Sequence, residues 1–159
     1  MTEIRNGRWT ARREEPFVVF LIGMRFNRLW KAHRWLPPFL AMPRMIAELS
    51  KKPELGFLGG NVWFGRTILM AQYWNSFEAL EAYAKARDSE HLPAWAAFNR
   101  AVGSNGDVGV YHETYRVAAG AYENIYVNMP RILFAGVGEA VECAGARGSA
   151  RGRMAAAAE

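Results

Sequence analysis

Two stretches of this chain are apolar without alternation: residues 17–24, Phe-Val-Val-Phe-Leu-Ile-Gly-Met, and residues 67–74, Thr-Ile-Leu-Met-Ala-Gln-Tyr-Trp. Short runs rich in β-branched and aromatic side chains suit strands buried on both faces, although periodicity alone also admits a buried helix at 17–24. Residues 108–117 alternate instead: Val108, Val110, His112, Thr114 and Arg116 face one way, Tyr111, Glu113, Tyr115 and Val117 the other. Helical spacing follows twice. Met42, Met45, Ile46 and Leu49 share a face, with Pro43 in the first turn and Lys51-Lys52-Pro53 as the stop; Pro37-Pro38 forbids a continuous helix ahead of them. Phe77, Leu80, Tyr83 and Ala84 share another, capped by Asn75 or Ser76, with Asn75 and Glu78 imitating a capping box. Pro93 ends that helix near His91, and a short helix follows with Trp95, Phe98 and Val102 on one side. Residues 55–64 add a strand that turns into 67–74 at 59–61 or at Gly65-Arg66, and residues 122–129 a short edge strand.

The order β-α-β-β-α-β is the split βαβ, ferredoxin-like unit, an α+β fold with an antiparallel sheet and helices on one face. Its other face is apolar too, so something must cover it. A second copy of the chain in a two-fold homodimer does so economically; the segment around 132–141 is the alternative. Residues 16–130 then form the domain. Residues 1–15 read as a mobile polar arm, and 131–159 as an Ala- and Gly-rich extension, disordered from about 145.

Length and composition narrow the function. The 159 residues suit one domain, and a 51% hydrophobic share supplies a core. Six Trp, nine Phe, six Tyr and seven Met can fill that core or line a cavity for a flat apolar ligand. A net charge of +5 favours anionic partners in general, but the basic residues are scattered, which argues against nucleic acid. The lone Cys143 excludes an internal disulfide and a cysteine zinc site. A polar start without a signal peptide, and apolar runs shorter than the ~20 residues a spanning helix needs, point to the cytoplasm with no transmembrane segment.

Three histidines carry most of the candidate chemistry. His91 sits at the proline break, where it either enters a cavity or caps a helix C-terminus. His112, mid-strand, is either a pocket base or a satisfied core residue, and Glu113 points away from it. His33 reads as surface or pocket rim. Met42, Met45 and Met70 suit core packing or a cofactor wall. No P-loop, GxGxxG, HExxH or nucleophile elbow is present.

The run YWNSFEALEAYA at 73–84, with a histidine near the end of its helix, resembles the dimeric α/β-barrel superfamily of antibiotic-biosynthesis-type monooxygenases. FVVFLIGMRFN, WKAHRW, AMPRM, ELGFLG, WFGRT, HLPAW, AFNRAVG, GDVG and YHETY resemble more closely a branch called monooxygenase-like after a fungal terpenoid-cluster enzyme, over about residues 16–130. The resemblance implies a monooxygenase-like or heme-dependent enzyme acting on a small hydrophobic molecule in the barrel cavity. Relatives of the superfamily equally allow a cofactor-independent monooxygenase, or a stress protein that binds a ligand without catalysis. If heme b is the cofactor, the resemblance makes His91 the axial ligand, Met45, Met70, Trp95 and Phe98 the walls, and Arg25, Arg66 and Arg100 the partners of the propionates. It makes Asn27 a counterpart of a first-strand asparagine. His112, Asn27 and Trp63 are the catalytic candidates.

Overall fold

The apolar runs become the two central strands of a four-stranded sheet, where helices cover one face and a second sheet covers part of the other. The structure, a computed structural model, describes residues 3–86 and 105–157, without the side chains of Pro38, Ala41, Met42, Arg44 and Met45. Its elements are β1 (Ile4–Arg12), β2 (Phe17–Phe26), α1 (Ala32–Lys51), β3 (Phe57–Trp63), β4 (Thr67–Trp74), α2 (Phe77–Lys85), β5 (Val108–Val117), β6 (Tyr126–Pro130), β7 (Glu139–Glu142) and α3 (Ala150–Ala157). The main sheet runs β3-β4-β2-β5, antiparallel throughout. Each helical crossover therefore skips one strand, which is the ferredoxin-like arrangement expected of the α+β class.

Register decides what each face carries. His112, Ile22, Met70 and Val62 stand in one row across the sheet, and Thr114, Phe20, Gln72 and Gly60 in the next on the same face. Both helices lie on this face. Trp35 and Phe39 of α1 pack against a buried cluster of Met24, Phe26, Ile68 and Val108. Leu49 of α1 and Leu80 and Tyr83 of α2 join Val18 and Trp74 in another. Ser76 caps α2, its hydroxyl accepting the Ala79 N–H at 3.0 Å; Asn75 does not.

The opposite face is covered at one end by the chain itself. β6-β1-β7 forms a second antiparallel sheet, and its Trp9, Ala11 and Tyr126, with Phe134 and Ala135 from the 3-10 turn Leu133–Gly136, pack on Phe17 and Tyr73. The alternative cover named from sequence is thus present, reinforced by an N-terminal strand.

Three expectations are corrected. The polar arm at 1–15 contains β1, held by side chains as well as by strand pairing. The Asn124 amide accepts the Ala11 N–H at 2.7 Å and donates to the Ala11 carbonyl at 2.9 Å, and the Tyr122 hydroxyl clamps Arg13 in the same way. The extension beyond 145 forms a 3-10 turn and α3, and the buried Arg153 guanidinium there meets Glu123 at 2.6 Å. The short edge strand foreseen at 122–129 is present as β6, beginning at Tyr126 and pairing with β1 at the edge of the second sheet. Pro37-Pro38 does not interrupt α1, which runs unbroken for 20 residues. Packing of Trp35, Phe39 and Leu49 on the sheet outweighs the local preference. The β3–β4 turn falls at Gly65-Arg66, one of the two places foreseen. Among the described residues no helix is long and apolar enough to cross a membrane.

Candidate functional site

Helices spanning an antiparallel sheet leave space where neither reaches the strands. Here α1 and α2 leave a cavity of about 340 Å³ over the middle of the helix-bearing face. Phe20 and Ile22 of β2, Met70, Gln72 and Trp74 of β4, and His112 and Thr114 of β5 form its floor. Ile46 and Leu49 of α1, and Phe77, Leu80, Glu81, Tyr83 and Ala84 of α2, form its walls. The β4 side chains are buried, whereas His112, Thr114 and Glu81 are exposed and mark the mouth.

The His112 ring lies 5.8 Å from that of Phe20, and no described residue hydrogen-bonds its imidazole. An imidazole placed at a cavity mouth can accept a proton from a bound molecule. Glu81 at the rim is paired with Lys85 at 2.8 Å. Deep in the floor the Trp74 indole N–H donates to the Gln72 carboxamide oxygen at 2.9 Å, and the Gln72 amide nitrogen donates to the Met70 sulfur at 3.3 Å.

The sequence-selected residues scatter. His112 and Met70 line the cavity. Trp63 ends β3 on the opposite face of the sheet and is 40% exposed. Arg25, on that same face, donates to the Thr67 hydroxyl at 2.7 Å. Asn27 and Arg66 belong to the end of the sheet. The Asn27 amide donates to the Gly106 carbonyl at 3.1 Å, and the Arg66 guanidinium to the Phe26 and Asn27 carbonyls at 3.3 and 3.2 Å. These bonds fasten a loop whose centre is the buried Asp107, paired with Lys31 at 2.8 Å and Arg28 at 3.2 Å. The Lys31 hydrogen bond, then the charges of Lys31, Arg28 and Arg34, hold the Asp107 carboxyl below the ordinary carboxylate range. His33 is exposed on α1. His91, Trp95, Phe98 and Arg100 lie outside the described residues, as does the Met45 side chain.

Gln72 and Trp74 escaped the sequence reading. A signal existed: Gln72 is the one carboxamide in an otherwise apolar buried run, and such a residue needs a partner or a ligand. A heme finds a partial fit. The cavity offers the His112 imidazole and apolar walls, but its described lining contains no Lys or Arg to meet propionates. Among the described residues there is no group of three or more side chains able to hold a metal ion.

Comparison with known proteins identifies the family. A family model described as Monooxygenase af470-like matches residues 17–134, so the chain belongs to that family. It is 31% identical over 156 residues to Monooxygenase af470 of Aspergillus fumigatus, a match covering 84% of this chain and 54% of that protein. The chain thus spans about half the length of that relative. Among solved structures, SnoaB, a cofactor-independent oxygenase from Streptomyces nogalater, is similar with a TM-score of 0.46 at 13% identity, over 63% of this chain and 91% of SnoaB. A conserved protein from Methanosarcina mazei Go1 gives a TM-score of 0.47 at 10% identity, over 64% of this chain and 93% of its own.

Proposed function

We propose that this member of the Monooxygenase af470-like family oxidises a small hydrophobic molecule held between the sheet and its two helices, with dioxygen as oxidant and His112 as proton acceptor. The observation that carries this is an imidazole without a hydrogen-bond partner among the described residues, at the mouth of an apolar cavity of about 340 Å³. That volume lies at the lower end of ligand cavities and suits a molecule of two or three fused rings. Apolar walls favour such a ligand by about 25 cal/mol per Å² of surface removed from water. Loss of a proton from an acidic C–H or phenolic O–H to His112 would leave an electron-rich anion. Such anions pass electrons to dioxygen, so that a CH₂ group and O₂ become C=O and water.

The test is oxygen uptake. Oxidisable bicyclic and tricyclic hydroxyaromatics are supplied to the full chain in an oxygen-electrode cell, with and without His112→Ala. We expect wild type to accelerate uptake and His112→Ala to lower that acceleration by about 10²-fold, the lower end of what a positioned base contributes. Equal rates for the two proteins would remove His112 from the chemistry. Ligand binding without any uptake would instead support a binding protein of the same fold.

A further inference from the structure

We infer that the cavity selects apolar molecules carrying a hydrogen-bond-accepting oxygen, a ketone or a phenolate, and that Gln72 binds that oxygen. This rests on the cavity being the ligand site. An indole N–H can only donate, so the atom of Gln72 facing Trp74 Nε1 at 2.9 Å must be the carboxamide oxygen. The amide nitrogen is then directed to the other side, where its partner is the Met70 thioether at 3.3 Å. A thioether is a weak acceptor, and an amide nitrogen has two hydrogens. The second has no partner among the described residues, although Gln72 is only 7% exposed.

Its cross-strand neighbours among the described residues supply no side-chain acceptor. Phe20 flanks Gln72 on β2, and Gly60 on β3 has no side chain. Gly60 cannot readily acquire one: a Cβ there would stand 2.7 Å from the Ala71 carbonyl oxygen. The Trp74 that orients the carboxamide is fully buried and packs its ring 5.6 Å from that of Tyr83. A donor so held, in the buried part of the floor, discriminates by chemistry rather than by size. His112 stands two strands and one row from Gln72, roughly 12 Å between backbones at ordinary strand spacing and rise. A fused-ring molecule with its oxygen on Gln72 therefore extends toward the imidazole.

The probes are 9-fluorenone and fluorene, one tricyclic frame bearing C=O or CH₂, measured by equilibrium dialysis against the full chain. The variant is Gln72→Met, similar in volume, able to accept weakly from Trp74 and unable to donate. We expect it to weaken fluorenone about three- to tenfold while fluorene stays within about twofold. We also expect the infrared carbonyl stretch of fluorenone bound to wild type to fall below its value in heptane. An unchanged ratio of the two affinities would overturn the inference, leaving Gln72 as no more than the acceptor for Trp74. If the variant binds neither probe, the carbonyl stretch on wild type decides, and an unshifted band overturns it. If wild type itself binds neither probe, the cavity reading fails and takes this inference with it.

Discussion

Gly23 shows how tightly single residues determine the sheet. Tyr111 reaches across β2 on the face away from the helices, and its hydroxyl donates to the Ile68 carbonyl at 3.0 Å. A Cβ on Gly23 would stand 2.0 Å from that carbonyl oxygen and 2.5 Å from the Tyr111 hydroxyl. The phenol could swing aside, but the backbone oxygen could not without parting β2 from β4. We expect Gly23→Ala to cost about 1–3 kcal/mol in urea unfolding, as overpacked cores do, and Tyr111→Phe about 1 kcal/mol. A neutral Gly23→Ala would mean the strands are further apart there than described. Within the site, His112 was legible because strand alternation aims it, whereas Gln72 was hidden by its apolar neighbours in the sequence. That Asn27, Trp63, Arg25 and Arg66 stand away from this cavity was not legible for a different reason. Their side of the sheet depends on pairing register and on where the β3–β4 turn falls, and neither is a local property.

Elements whose pattern is local were legible. β5 begins and ends where alternation places it, and α2 follows its apolar spacing from a polar cap. β1 was not legible, because Ile-Arg-Asn-Gly-Arg-Trp-Thr-Ala-Arg has no apolar face long enough to declare a strand. Its partners are more than a hundred residues distant, among them Tyr126 and Asn124. The second sheet that β1 builds has a measurable signature. Burial between the sheets, and then Tyr126, push the Tyr73 phenol up to about 12. The unfolded chain gives up that proton near 10 and the folded chain only near 12, so folding stability falls as pH rises between those values. Thermal melts at pH 8 and pH 11 should therefore show a smaller alkaline loss for Tyr73→Phe than for wild type. Identical losses would place Tyr73 outside the interface between the sheets.

The described residues cover only one end of the second sheet face. Beyond the reach of Trp9, Tyr126 and Phe134, the row Trp63, Leu69, Gly23 and Tyr111 crosses all four strands, with Leu21 beside it. Leu69, Tyr111 and Leu21 are only half-buried and Trp63 is exposed. No charged group stands within that row, although Arg25 and Glu113 flank it, so the described residues leave an apolar stripe there. A second copy laid on it about a two-fold axis would bury the stripe against itself, and an interface of standard size needs ~1,600 Å² in total. We expect the chain to be a homodimer, with light scattering at about twice the chain mass of 17.9 kDa. Trp63→Glu should shift it to monomer, since a charge facing its own copy loses hydration without gaining a partner. Trp63 is exposed in the single chain, so the same variant should keep the wild-type circular dichroism spectrum. A monodisperse wild-type monomer at micromolar concentration would instead mean that the second sheet alone is cover enough.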